Sequence, residues 1–330
     1  MDYLDKTCPY FEWQEANLSI HKIMKVFHID ETGVNLQELK SEIRKAHAND
    51  VERVKNYKQY YTKFFAETGK RPSKFVPEEG YTLDRILYKG TPIEMLTPMK
   101  KTKRVIYFFK GCGYCNYFTD AANEEMQRVI KRIEDTSVMG VNYRVAPENT
   151  YKETLEDTVN GFQWLLEQGF APENIIFMGD SSGGGTAIQT ARMLRDKGMP
   201  LPESLVLFSP WTNVAMDTPS YQEFNDERDC VLGGNGLMEF FSSCCLELEN
   251  PHNPYISACY GDFSDMPRML IQTAMEERAY DDVIMIGNKM LDCDREIQVE
   301  VYKDMFHEFQ FHMELESAKK AWEQVIEFIK

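Results

Sequence analysis

A serine between glycines gives this chain its clearest candidate for chemistry. Gly179, Ser181 and Gly183 fit the pattern G-x-S-x-G, which holds a serine hydroxyl up at a sharp turn between a strand and a helix. The neighbouring residues agree with such a turn, because an apolar run (175–178) precedes it and apolar residues at helical spacing follow it. Ser181 is therefore the candidate nucleophile.

Candidates for the base and the acid that such a serine needs lie further along the chain. The base takes the hydroxyl proton and the acid orients the base, in the chain order Ser, then Asp or Glu, then His. Glu276 and Glu277 follow the apolar segment RMLIQTA, and His307 follows IQVEVY. Adjacent side chains of an extended segment point to opposite sides, so only one of the two glutamates can face His307. Asp281, four residues on, is a further candidate acid.

A glycine-rich loop is the candidate oxyanion hole. Attack on a carbonyl group develops negative charge on its oxygen, and backbone N–H groups can stabilise that charge. One donor is expected to be the amide of Ser182, directly after the nucleophile, and the others are expected in a loop after an early strand. That loop is FFKGCGYC (108–115), which contains Gly111, Cys112 and Gly113.

Strands and helices alternate over most of the chain beyond residue 80. The segments typical of strands are YTLDRILYK, PIEMLTP, RVIYFF, TSVMGVNY, IIFMG, SLVLFS, RMLIQTA and IQVEVY. Helical spacing separates most of the later ones, which predicts an α/β fold with a mostly parallel sheet. Two stretches depart from this alternation: an amphipathic helical segment at 36–66, and an acidic insertion at 215–255 with one helix-like piece at 237–246.

Several ordered motifs together resemble the hormone-sensitive-lipase group of α/β-hydrolases, which are carboxylesterases with a helical cap. These motifs are GDSSGG (179–184), YRVAPE (143–148), SPWTN (209–213), NPYISACYGD (253–262) and MFHEF (305–309). The resemblance covers roughly residues 80–330. It implies an α/β-hydrolase fold with helices on both faces of the sheet. It also implies an N-terminal cap segment (1–75) and a catalytic domain (76–330) that carries the insertion.

The resemblance also implies roles for individual residues. Ser181 matches the nucleophile, Glu277 rather than Glu276 matches the acid, and His307 matches the base. The group's HGGG loop corresponds here to Lys110, Gly111, Cys112 and Gly113. A lysine thus replaces the histidine, either as a solvated residue at a strand end or as a brace for the loop, and a cysteine replaces the middle glycine.

Composition and charge exclude several classes of function. The formal net charge of −16 argues against nucleic acid or an anionic membrane as the main partner. No apolar run approaches the roughly 18 residues of a membrane span, and the acidic start is unlike a signal peptide. The eight cysteines are expected to be reduced thiols in a cytoplasmic protein. Cys112 and Cys115 lack a second pair at zinc-finger spacing, so neither a metal nor a cofactor is predicted.

These observations predict a serine carboxylesterase that cleaves short-chain esters of small molecules through an acyl-enzyme, with a homodimer as its candidate assembly. Two alternatives stay open at this point. An amidase or formamidase would use the same three residues, because the leaving group is recognised elsewhere. A non-catalytic ligand-binding protein is the second alternative, since the plant gibberellin receptors resemble this group but have lost the histidine.

Overall fold

The computed structural model describes residues 18–55, 73–111, 113–224, 228–233, 236–246 and 249–330. Within these ranges one sheet of nine strands runs through the molecule, in the order β1-β9-β8-β7-β6-β4-β5-β3-β2. The strands are β1 (Lys25–Phe27), β2 (Tyr81–Tyr88), β3 (Thr91–Pro98), β4 (Arg104–Phe109), β5 (Thr136–Val141), β6 (Ile175–Asp180), β7 (Ser204–Phe208), β8 (Arg268–Ala274) and β9 (Ile297–Tyr302).

The sheet is mostly parallel, as the sequence predicts. Only β2 with β3 and β3 with β5 pair in antiparallel fashion. Every residue of β5, β6 and β7 is buried. Continuous apolar strands of this kind are typical of parallel sheets that are covered on both faces.

Helices cover both faces. They are α1 (Leu18–His21), α2 (Leu36–Lys55), α3 (Asp120–Arg132), α4 (Tyr151–Glu167), α5 (Ser181–Asp196), α6 (Pro219–Glu223), α7 (Leu237–Leu246), α8 (Tyr280–Asp292) and α9 (Glu316–Phe328). Successive residues of β4 belong to apolar clusters on opposite faces of the sheet. Tyr107 packs with residues of α4, α5 and α8. Phe108 packs with residues of α3 and α9. This alternation follows from the two-residue period of a strand and confirms the predicted three-layer fold.

The N-terminal segment contributes a strand that the sequence analysis did not predict. β1 pairs in parallel with β9 at the edge of the sheet, and the ring of Phe27 stacks on Tyr302 with centroids 4.8 Å apart. Three residues are too few to show a hydrophobic period, so nothing in the pattern could indicate this strand. The predicted helix at 36–66 begins as expected with α2, and residues 56–72 lie outside the described ranges.

Two buried aspartates on the first turn of α8 anchor the insertion. Oδ2 of Asp282 accepts hydrogen bonds from the backbone N–H groups of Thr212 and Asn213, each at 2.8 Å. Oδ2 of Asp281 accepts one from the N–H of Ser220, also at 2.8 Å. The start of the insertion is thereby fixed to the element that follows β8.

Candidate active site

Ser181 lies at the junction of β6 and α5, where the chain turns sharply. Its φ of +48° is in the left-handed region, a strained conformation for a residue with a side chain. Neighbouring glycines allow close packing around this turn: a Cβ on Gly179 would lie 2.6 Å from the carbonyl oxygen of Gly183, and a Cβ on Gly183 would lie 2.0 Å from the carbonyl oxygen of Phe109 at the end of β4. The glycine spacing of the motif is therefore a steric requirement of this turn.

The structure brings the side chains of Ser181, His307 and Glu277 together from the ends of three strands. Nε2 of His307 lies 3.0 Å from Oγ of Ser181, and Nδ1 lies 2.7 Å from Oε2 of Glu277. Since an ionised carboxylate can only accept, the proton on the imidazole belongs to Nδ1, and Nε2 is left to accept from the serine. A continuous chain of hydrogen bonds thus links the carboxylate to the hydroxyl.

Local donors hold Glu277 in place. Its Oε1 accepts hydrogen bonds from Oγ of Ser209 at 2.6 Å and from the backbone N–H of Ala274 at 2.7 Å. The adjacent Glu276 points elsewhere and accepts from the N–H of Asp304 at 3.2 Å. Of the candidate acids, then, Glu277 is the one that contacts the histidine, since Asp281 is engaged with the insertion.

The pKa of His307 reflects its buried, acidic surroundings. Burial alone would lower the pKa, but the hydrogen bond and charge of Glu277, with smaller contributions from Glu308 and Asp229, raise it to about 9. The neutral imidazole that can accept a proton from Ser181 therefore becomes dominant only in alkaline solution. Activity that depends on this base should rise with pH.

The glycine-rich loop lies beside Ser181, but one of its predicted donors is already engaged. The N–H of Gly111 donates to Oδ2 of Asp180 at 2.8 Å, so this amide is directed at a carboxylate rather than at a substrate. This corrects the sequence prediction for Gly111. Cys112 lies outside the described residues. Gly113 has a φ of +58°, and the ring of Phe241 from α7 lies against it, at 2.3 Å from the position that a Cβ would take.

Lys110 is a brace of this loop and not a solvated residue. Only 19% of its side chain is exposed, and Nζ lies 3.2 Å from Oε2 of Glu125 and 3.6 Å from Oδ2 of Asp180. Burial lowers the pKa of the ammonium group, but the carboxyl groups around it raise the pKa by more, so Lys110 stays charged. The sequence analysis assigned no role to Asp180 or Ser209, although both belong to the motifs that it quotes.

The described residues contain no group of three or more His, Cys, Asp and Glu side chains that could hold a metal ion. Within the same ranges, no helix has the length and apolar character needed to cross a bilayer.

Comparison with known proteins agrees with the fold. A family model described as an α/β-hydrolase fold matches residues 106–311. An acetyl-hydrolase of Streptomyces hygroscopicus is 27% identical over 238 residues, which cover 72% of this chain and 79% of the relative. An esterase of Acinetobacter venetianus is 29% identical over 192 residues, which cover 58% of this chain and 63% of the relative.

Among solved structures, an esterase of the bacterial hormone-sensitive lipase family superposes with a TM-score of 0.72 at 25% identity, over 87% of this chain and 97% of that one. The chain belongs to the α/β-hydrolase fold family. The resemblance to its hormone-sensitive-lipase group, predicted from the motifs, is confirmed.

Proposed function

We propose that this chain is a serine carboxylesterase that hydrolyses short-chain esters of small molecules through an acyl-enzyme, with Ser181, His307 and Glu277 as its catalytic triad. The chain is a carboxylic ester hydrolase, in keeping with the acetyl-hydrolase and esterases that it resembles. The observation that carries the serine mechanism is the unbroken hydrogen-bond chain from Oε2 of Glu277 through the imidazole to Oγ of Ser181.

The first half of the reaction acylates the serine. Nε2 of His307 accepts the hydroxyl proton as Oγ of Ser181 attacks the carbonyl carbon, and the amides of Cys112, Gly113 and Ser182 stabilise the oxyanion. The imidazolium then returns its proton to the leaving alkoxide, and the alcohol departs. Glu277 keeps the ring oriented and stabilises the imidazolium without itself taking the proton.

The second half releases the acid by the same steps. A water molecule gives a proton to Nε2 while its oxygen attacks the acyl carbon, and the tetrahedral intermediate collapses to a carboxylic acid and free Ser181. Every proton that moves is carried by His307. No metal or cofactor takes part in this proposal.

The proposed preference for short-chain esters rests on the insertion, which packs on the glycine-rich loop. Phe241 of α7 lies against Gly113, and its cluster includes Tyr114 and Trp211, so the insertion packs on the loop that holds the substrate carbonyl. A small cleft of about 40 Å³ lies next to this contact; Tyr114, Cys245 and Tyr255 are among the residues that line it, whereas Ser181 and His307 are not. We assign the roof to the N-terminal segment (1–75) and to the insertion (215–255). A cytoplasmic location and homodimerisation stay predictions from the sequence.

Replacing the nucleophile tests the proposal. Ser181→Ala should abolish hydrolysis of p-nitrophenyl acetate and labelling by a fluorophosphonate probe, because it removes the hydroxyl that bonds to Nε2 of His307. Ser182→Ala is the matched control: it alters the next side chain, keeps the backbone amide and should leave both readouts close to wild type. Circular dichroism would establish that both variants are folded.

Two outcomes would contradict the proposal. Residual turnover above a few per cent in Ser181→Ala would place the nucleophile elsewhere, and an unlabelled wild-type protein would favour a non-catalytic ligand-binding role. Matched esters and anilides of one acyl group distinguish an esterase from an amidase. We expect faster turnover of the ester.

A further inference from the structure

A second carboxyl group faces His307, on the side of the ring opposite Glu277. Oε1 of Glu308 lies 3.8 Å from Nε2, the nitrogen that accepts the serine proton. The backbone of Glu308 has a φ of +60°, and its N–H donates to Oγ of Ser209 at 3.1 Å. The same hydroxyl donates to Oε1 of Glu277. One serine therefore ties this strained residue to the acid of the triad.

The side chain of Glu308, 30% of which is exposed, belongs to a cluster of charged groups behind the glycine-rich loop. It interacts with the carboxyl group of Asp180, which is fully buried. Both side chains lie against Gly111, where a Cβ would be 2.1 Å from Oδ2 of Asp180 and 2.7 Å from Oε1 of Glu308. Glycine at this position thus makes room for two carboxyl groups beside the oxyanion loop.

Several carboxyl groups of this cluster lie around one ammonium group. Asp180, Glu308 and Glu125 all act on Lys110, while Glu308 also faces His307 and Glu125 also interacts with Arg128. Carboxylates held close together repel each other, so such a pair keeps a proton to higher pH than an isolated carboxyl group does. Burial and the charge of Asp180 accordingly raise the pKa of Glu308 to about 8, against the opposing charges of His307 and Lys110.

We propose that Glu308 is a positioning residue for the base: its carboxyl group, paired with Asp180 and offset by Lys110, sets how strongly His307 holds a proton. It thereby sets the pH at which the enzyme becomes active. This inference rests on the proposed serine esterase function. It adds a residue that the motifs do not assign, since Glu308 acts through the histidine and not on the substrate.

The sign of the effect follows from the charges that face the ring. Glu277 lies at Nδ1, Asp229 adds a more distant charge from the insertion, and Glu308 lies at Nε2. Once Glu308 has lost its own proton, at about pH 8, its carboxylate stabilises the imidazolium, which is inactive as a base. Replacing Glu308 with a neutral side chain removes that stabilisation while the other two carboxyl groups stay. His307 then loses its proton at lower pH.

Glu308→Gln tests this proposal because it keeps the size of the side chain and removes only its charge. We expect the acid limb of kcat/KM to move down by about half a unit to one unit of pH, as a nearby but screened unit charge would produce. The plateau value of kcat should stay within about threefold of wild type. Glu308→Asp, which restores a charge, should move the limb back toward its wild-type position.

Glu314→Gln is the control, because Glu314 makes the corresponding contact to an exposed histidine, with Oε1 3.1 Å from Nδ1 of His312. It should leave the acid limb in place. A titration of the His307 ring by NMR in the Ser181→Ala background, with and without Glu308→Gln, measures the same shift without turnover. If Glu308→Gln leaves the titration of the His307 ring unchanged, the inference is wrong, whether or not the protein is a serine esterase. If the titration shifts but the wild-type protein hydrolyses no ester, only the proposed function is wrong.

Discussion

The two halves of the candidate site are held in place by different means. The triad half consists of Ser181, Glu277 and His307, which follow the carboxyl ends of β6, β8 and β9. These strands lie near one another in the sheet, so the topology alone brings the three residues to one edge. The loop half consists of Lys110, Gly111 and Gly113, and side chains hold it in place. The carboxylate of Asp180 accepts a hydrogen bond from the N–H of Gly111, and the ring of Phe241 lies against Gly113.

This difference predicts that the two halves respond differently to substitution. A residue that follows a buried strand closely is restricted in position, because the packed sheet fixes where the strand ends. A loop held by a lysine and an aromatic ring depends on a few contacts that single substitutions can remove. We therefore expect substitutions in the triad half to reduce kcat by orders of magnitude. Those in the loop half should change the rate less and the selectivity more.

The largest difference in kcat between two neighbouring substitutions is expected in the triad half, at Glu276 and Glu277. Glu277→Gln should lower kcat by a factor of about 10²–10⁴ with little change in KM, because the amide no longer holds the imidazole in the required tautomer. The measurement is steady-state kinetics on p-nitrophenyl butyrate at a pH on the wild-type plateau.

Glu276→Gln is the matched control, since this carboxyl group bonds the N–H of Asp304 and not the histidine. Its cost should stay below about tenfold, as expected for a residue outside the hydrogen-bond chain of the triad. A large loss of kcat in Glu276→Gln, or a wild-type kcat in Glu277→Gln, would show that the acid has been assigned to the wrong residue.

The triad half is also the half that the sequence could predict. Strand patterns and chain order placed Ser181 and His307, and the family motif selected Glu277 over its neighbour. The loop half was harder to predict from the sequence, because its contacts join residues far apart in the chain, such as Lys110 with Glu125 and Asp180. Gly111 illustrates the limit: its motif position suggests a donor to the oxyanion, whereas the carboxylate that engages its amide is 69 positions away in the chain.

The next effect in size concerns the lysine of the loop half. Lys110→Met leaves Asp180 and Glu125 without their cation, and the loop at Gly111 should lose its fixed position. We expect kcat to fall by about 10-fold to 100-fold, with KM changed by less than about threefold, because the loss concerns charge stabilisation in the transition state. Parallel measurement of the melting temperature should show destabilisation, since a buried carboxylate loses its partner.

Lys100→Met is the control for this substitution. Lys100 pairs with Asp135 at 2.6 Å, but the pair is exposed, so its removal should affect neither kcat nor stability appreciably. If Lys110→Met is as active as Lys100→Met, the loop does not depend on the buried cation. The brace would then be a packing feature only.

The smallest effect is expected where the insertion meets the loop, and it concerns selectivity. Phe241→Ala removes the ring that lies against Gly113, which should open space above the substrate carbonyl. Each methylene group that gains a buried position contributes about 0.8 kcal/mol, so two of them favour a longer ester by roughly tenfold. The ratio of kcat/KM for p-nitrophenyl octanoate to that for the butyrate should rise by up to this factor, while acetate turnover changes little. Phe240→Ala removes an equal volume from the adjacent position, whose ring meets that of Phe241 edge-on with centroids 5.5 Å apart, and should raise the ratio by less than Phe241→Ala does. Equal ratios in both variants and wild type would mean that acyl length is limited elsewhere. The roof of the pocket would then have to be sought in other residues than Phe241.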